Sequence, residues 1–110
     1  MNLENKKCVP CGQIEKPLTG EESEKFLKEI NNWKIIDNKL IEKDFSFKNF
    51  KEAMDLVNKV ADVAELAGHH PNIYVHEYKN VKIEIFTHAI KGLSENDFIV
   101  AAKIDNLFLK

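Results

Sequence analysis

Residues 65–88, ELAGHHPNIYVHEYKNVKIEIFTH, constrain this chain more than any other stretch. Val81, Ile83, Ile85 and Thr87 alternate with Lys82, Glu84, Phe86 and His88. That is the period of a strand with two unlike faces. Ile73 to Glu77 reads as a second strand, and a tight turn near Lys79-Asn80 joins the two. Helical periodicity lies on both sides. Upstream, Phe47, Phe50, Met54, Val57, Ala61 and Ala64 recur at three- and four-residue steps, which predicts an amphipathic helix over 47–66. Gly68 suits the left-handed position after its end, and Pro71 drives His70 toward an extended conformation. Downstream, Ser94 with Asp97 forms a capping box that opens a helix from Glu95 to about Asn106.

The remainder adds three more elements. Residues 1–17 read as an irregular arm punctuated by Pro10, Gly12 and Pro17, and a single domain follows over 18–110. Thr19 with Glu22 is another capping box, opening a helix over 20–30. Trp33 to Ile36 and Lys39 to Phe45 read as strands around an Asp37-Asn38 hairpin turn. Ser46 then serves as the cap of the 47–66 helix, with Phe45 and Phe50 as its hydrophobic staple. The order is α-β-β-α-β-β-α. It implies an α+β fold, a four-stranded antiparallel sheet with three helices packed on one face. Phe98, Ile99, Val100, Ala101, Ala102 and Ile104 make the last helix apolar over more than one face, so part of it is expected to meet another subunit.

Composition excludes several classes of function. Hydrophobic residues are 44% and charged residues 31% of 110, as in a globular protein. The net charge is −2 and the lysines are scattered among acids, so no basic stripe marks a nucleic-acid surface. No apolar run is long enough for a membrane span. The N-terminal MNLENKK lacks a signal-peptide core, and the chain is expected to be cytoplasmic. Cys8 and Cys11 form a Cys-x-x-Cys without the second pair a structural zinc wants, in a polar lead-in rather than after a strand. A reduced thiol pair is the expectation; zinc shared between subunits is the alternative.

All four histidines lie in the central stretch. His69 and His70 emerge from a helix end, and the hairpin can return His88 beside them. Imidazole both gives and takes protons near neutrality, so such a group suits proton transfer in both directions. Taken singly, His69-His70 could be a solvated pair favoured by the helix dipole, and His88 an exposed strand end. His76 reads as a surface residue without a partner. Three histidines with Glu65 or Asp97 could make a metal ligand set. Neighbours in an extended chain point opposite ways, however, which argues against His69 and His70 sharing one ion. Glu65, one turn before His69, either orients an imidazole or faces solvent. Asp97 has a structural role already in its capping box. Trp33 and Tyr74 are either core or flanks for a flat ligand.

The pattern Glu65, His69-His70-Pro71, Tyr78, Thr87-His88, Gly92-Leu93 and Asp97 resembles the pterin-4a-carbinolamine dehydratase family. The match extends through Ala101-Ala102-Lys103-Ile104-Asp105 and back to Trp33. Cys8-Val9-Pro10-Cys11 and Pro17-Leu18-Thr19 resemble its microbial members. Two departures stand out. Lys91 replaces the first of two glycines that members often carry, and Ile73, with Tyr74 next, stands where an aromatic is common. The resemblance implies dehydration of a 4a-hydroxytetrahydropterin to the quinonoid dihydropterin, which recycles the pterin cofactor of aromatic amino-acid hydroxylases. It implies that neither metal nor organic cofactor takes part. His69 and His88 would act as acids and His70 as binder or base, with Glu65, Pro71, Asp97 and Trp33 contacting substrate. It also implies a homodimer that assembles to a homotetramer. The alternatives are a protein-binding, transcription-cofactor-like module, or a role in other pterin or molybdenum-cofactor metabolism.

Overall fold

The structure is a computed structural model describing residues 2–108. Positions 1, 109 and 110, which close the two expected segments, and the Cys11 side chain lie outside the described residues. The central alternation becomes strand β4 (Asn80–Ile85), with Val81, Ile83 and Ile85 fully buried and Lys82 and Glu84 on the other side. β4 pairs antiparallel with β3 (Asn72–His76) and with β2 (Leu40–Ser46), and β2 pairs with β1 (Lys34–Ile36). The sheet order is therefore β1-β2-β4-β3, with hairpins β1-β2 and β3-β4. Helices α1 (Gly20–Leu27), α2 (Phe50–Ala67) and α3 (Glu95–Asn106) complete the expected α-β-β-α-β-β-α order. Among the described residues, no helix is long and apolar enough to cross a membrane.

Local chemistry fixes most element ends. Thr19 and Glu22 make the expected capping box of α1. Asp37 and Asn38 both adopt positive φ in the β1-β2 turn, a conformation Asn and Asp tolerate best after glycine. Gly68 closes α2 at φ 67°, ψ 28°, with its N–H on the Ala64 carbonyl.

Four local expectations are corrected. The β3-β4 turn lies two residues earlier, on Glu77 and Tyr78, both at positive φ. Asn80 is already in the ladder, paired with His76. Helix α2 starts at Phe50, and Asn49 caps it by accepting the Glu52 N–H at 2.8 Å. Ser46 cannot cap because it ends β2, opposite Asn80. As the first helical residue, Phe50 is half exposed rather than a staple, and Phe45 instead stacks on Phe47 and Phe108. The buried face of α2 is Ala53, Leu56, Val60 and Ala64, rotated from the expected stripe, so Phe50 and Ala61 face solvent.

The larger correction concerns α3. Phe98 to Ala102, Ile104 and Asp105 are all buried within this one chain. Phe26 of α1 stacks on Phe98, and α2 and β4 cover other sides. The remaining side is closed by the N-terminal segment. Leu3, in a short 3₁₀ turn Leu3–Asn5, is only 1% exposed in the core. Asn96 exchanges two hydrogen bonds with the Val9 backbone, at 3.0 and 2.8 Å, and Lys103 donates to the Glu4 carbonyl at 2.8 Å. The wide apolar surface of α3 is thus satisfied internally, not by another subunit.

Candidate functional site

The left-handed turn at Gly68 directs His69 inward. Its backbone N–H, like that of Gly68, reaches the Ala64 carbonyl, at 3.3 Å, and the residue is 4% exposed. There its Nε2 lies 2.6 Å from Oδ1 of Asp97, a carboxylate with no exposure at all. The other carboxylate oxygen of Asp97 accepts the Ser94 N–H at 2.8 Å and the Thr87 hydroxyl at 3.0 Å. The Thr87 and Ser94 hydroxyls are 2.6 Å apart. With Asp97 ionised the protons follow in order, because a carboxylate only accepts. Thr87 donates its one proton to Asp97, so Ser94 donates to Thr87, and Nε2 is the ring nitrogen of His69 that carries hydrogen. A buried carboxylate thereby sets both the direction and the tautomer of an imidazole.

Thr87 links this network to the second histidine. Its backbone bridges Gly92, with N–H to carbonyl at 2.9 Å, and pinches off a 3₁₀ turn, His88–Ile90. Gly92 is required there, since a Cβ would fall 2.7 Å from the Cβ of Pro17. His88 is exposed on this turn, its ring 6.1 Å from that of Phe86. It opens a turn beyond the end of β4 rather than ending the strand itself. It also lines a cavity of about 250 Å³ with Lys39, Leu40, Phe86 and Lys91.

His70 points the other way, as expected of the neighbour in an extended segment. It is exposed, and its Nε2 sits 2.6 Å from Oε2 of the exposed Glu65. Glu65 therefore orients His70, not His69, and Pro71, half-buried, leads directly into β3. Trp33 joins a different buried cluster, donating its indole N–H to Asp105 at 3.0 Å beside Lys43. Tyr74 lies on the outer sheet face. His76 on that same face was expected to lack a partner, yet its Nε2 meets Asp44 at 2.9 Å. The sequence hides this pair because β4 lies between their two strands. The hydrogen bond to Asp44 raises the His76 pKa above the ordinary histidine value. Among the described residues, no group of three or more His, Cys, Asp or Glu side chains could hold a metal ion.

Sequence reasoning left Thr87 and Ser94 out of the site. A signal was present for Thr87, a polar residue continuing the buried alternation of β4, because a buried hydroxyl needs a partner. Ser94 was hidden behind its role as a cap.

The family model for pterin 4 alpha carbinolamine dehydratase matches residues 16–107. The chain belongs to that family. A protein of Alkaliphilus metalliredigens named for pterin-4-alpha-carbinolamine dehydratase is 44% identical, over 94% of each chain. One of the same name from Nitrosomonas europaea is 48% identical, covering 97% of this chain and 94% of its own. The crystal structure of a transcriptional coactivator/pterin dehydratase from Brucella melitensis superposes with a TM-score of 0.77 at 29% identity, covering 84% of this chain and 98% of that one. In this dehydratase family member, the Lys91 departure has a physical expression. The residue sits at φ 51°, ψ 44°, a conformation natural to glycine and strained for lysine.

Proposed function

We propose that the chain dehydrates a 4a-hydroxytetrahydropterin to the quinonoid dihydropterin and water by histidine acid–base catalysis, recycling the pterin cofactor of aromatic amino-acid hydroxylases. The observation that carries this reading is the buried contact of His69 with Asp97, joined through Thr87 to the turn that presents His88. The reaction needs a proton delivered to the departing 4a-hydroxyl and a proton taken from N5. Imidazoles suit both transfers at neutral pH. In this proposal His69 and His88 are the acids facing the hydroxyl, His69 giving a second ring proton from Nδ1 while Asp97 holds the one on Nε2, and His70, paired with Glu65, binds the ring or takes the N5 proton. Asp97 keeps the His69 ring oriented through turnover. Pro71 shapes the approach to the site, whereas Trp33, buried on Asp105, takes no part in it. No metal or organic cofactor is invoked.

The test is a stopped-flow assay of purified protein with a 4a-hydroxytetrahydropterin. Dehydration above the spontaneous rate, unaffected by EDTA, is the expected result. An EDTA-sensitive rate restored by zinc would replace this mechanism with a metal-assisted one, and no rate would overturn it. The name of the Brucella melitensis protein supports a second reading, a protein-binding module with little dehydratase activity, and the same absence of rate would favour it. The proposed assembly is a homodimer forming a homotetramer. With α3 enclosed, its contacts would fall on surface such as the exposed Phe50 and Leu66 of α2, and light scattering showing a monomer would refute it.

A further inference from the structure

The cavity beside His88 joins an apolar wall to cations that are unpaired among the described residues. Leu40 and Phe86 form its apolar part, Lys39 and Lys91 its charged part, and His88 its imidazole. No carboxylate lines it, although the chain holds 18 acidic residues. Lys6, Lys43 and Lys82 each pair with an acid, whereas among the described residues neither Lys39 nor Lys91 has a carboxylate within 4.0 Å. Two ammonium groups without counter-ions, set beside an apolar wall, make a local field that attracts an anion.

Both lysines are delivered by tight turns. Lys39 follows the two left-handed residues Asp37 and Asn38, and its N–H donates to the Ile36 carbonyl at 2.9 Å. Lys91 is itself left-handed, with its N–H on the His88 carbonyl at 3.1 Å, and the Thr87–Gly92 bridge holds it there. Strained backbone that persists beside a candidate site is a pointer to function. At about 250 Å³ the cavity falls short of the ~300–1,000 Å³ of pockets that enclose a whole ligand, so it would take one arm of a substrate.

We propose that Lys39 and Lys91 select a pterin substrate whose side chain ends in an anion, a phosphate or a carboxylate. The side chain lies along Leu40 and Phe86 while the ring is handled at His88. This rests on the dehydratase reading and names the substrate class that reading leaves open. Lys91 is then a specificity residue that a glycine at the same position would lack.

The experiment compares kcat/KM for two 4a-hydroxytetrahydropterins, one with a neutral dihydroxypropyl side chain and one with that side chain phosphorylated. The unmodified protein should favour the phosphorylated substrate by about tenfold at low salt, and the preference should shrink as salt is added. Lys91→Asn keeps a residue that tolerates left-handed backbone, and Lys39→Ala lies in the other turn. Each should lower the selectivity ratio by up to about fivefold, the upper size of an exposed ion pair. A ratio near one in the unmodified protein, or one unchanged in the double variant, overturns the proposal. If neither substrate is turned over, the dehydratase reading fails separately. Titration with the stable 7,8-dihydro forms of both compounds then decides selectivity by binding alone, and equal affinities would overturn it.

Discussion

Replacing Asp97 with alanine tests the site at its most enclosed point. Were Asp97 only a helix cap, the substitution would cost about 1 kcal/mol, the usual size for that loss. The structure gives the carboxylate three partners: Nε2 of His69 at 2.6 Å, the Ser94 N–H at 2.8 Å and the Thr87 hydroxyl at 3.0 Å. Asp97→Ala does not strand all three. The Thr87 and Ser94 hydroxyls, 2.6 Å apart, can still satisfy each other. The Ser94 N–H and the His69 ring N–H lose their acceptor in a buried place. A buried donor left unsatisfied costs about 1–3 kcal/mol, so the two together should cost about 4 kcal/mol. For a chain of this size that lowers Tm by about 15 °C or more. Urea unfolding followed by circular dichroism, with an unchanged m-value, measures it. A cost of about 1 kcal/mol or less would mean that the carboxylate caps α3 and does not hold His69. Asp97→Asn gives an independent readout. Its carbonyl oxygen can serve Ser94 and Thr87, which turns its NH₂ toward His69 and forces the ring to the Nδ1–H tautomer. Nitrogen-15 shifts of His69 report that change, and an unaltered tautomer would refute the proton order derived above.

Other outcomes follow from the same geometry. His88→Ala should lower kcat by about 10²-fold or more, the size of a positioned acid–base group, with stability within about 0.5 kcal/mol because the ring is exposed; a stability loss as large as that of Asp97→Ala would make His88 structural. Leu3→Ala should cost about 2–4 kcal/mol in urea unfolding, the range for a truncated buried leucine, and no loss would mean that the N-terminal segment is undocked in solution. His76 should titrate above the ordinary histidine value of about 6.5 in proton NMR and fall back toward it in Asp44→Asn. A raised folded pKa means that its contribution to stability is present below the unfolded value and fades as pH rises through the folded one. Ala101→Glu should unfold the chain rather than divide an assembly, since the position has no exposure within a single subunit; a folded, smaller oligomer would refute the enclosure of α3.

Elements whose cause is local were legible in the sequence. The alternation of β4, the Asp37-Asn38 turn, the left-handed Gly68 and the Thr19-Glu22 box each need only a few neighbouring residues, and each appears as read. What failed depended on distant partners. Ser46 looks like a cap until its pairing with Asn80 is known. The phase of α2 could not be fixed because both of its stripes are apolar, and packing chose Ala53, Leu56, Val60 and Ala64. The breadth of α3 was read correctly as a demand for cover, but the cover came from Leu3, far back in a segment with almost no regular structure, which the Val9 backbone helps to dock through Asn96. In the site, the sequence named the histidines and both carboxylates. It left open whether Glu65 orients an imidazole or faces solvent, and the outward turn of the backbone after Gly68 gives it His70.

The two carboxylate pairs show how one dipeptide acquires two roles. His69 and His70 are chemically identical, and each has a carboxylate 2.6 Å from Nε2. Their environments differ almost completely. Asp97 has no exposure and two further donors fixing it, whereas the Glu65 side chain is 76% exposed at the surface end of α2. A buried, fully hydrogen-bonded pair has one geometry, and breaking it is costly. An exposed pair contributes little, is screened by salt and gives way readily to a better partner. In the proposed reaction His69 would be a fixed point against which a substrate registers, while His70 would leave Glu65 to follow the substrate. Gly68 on one side and Pro71 on the other create the division. The left-handed turn sends the first imidazole inward, and the extended backbone required before proline sends the second out. A reaction that must deliver one proton and collect another has use for both kinds of imidazole, and two residues between a glycine and a proline supply them.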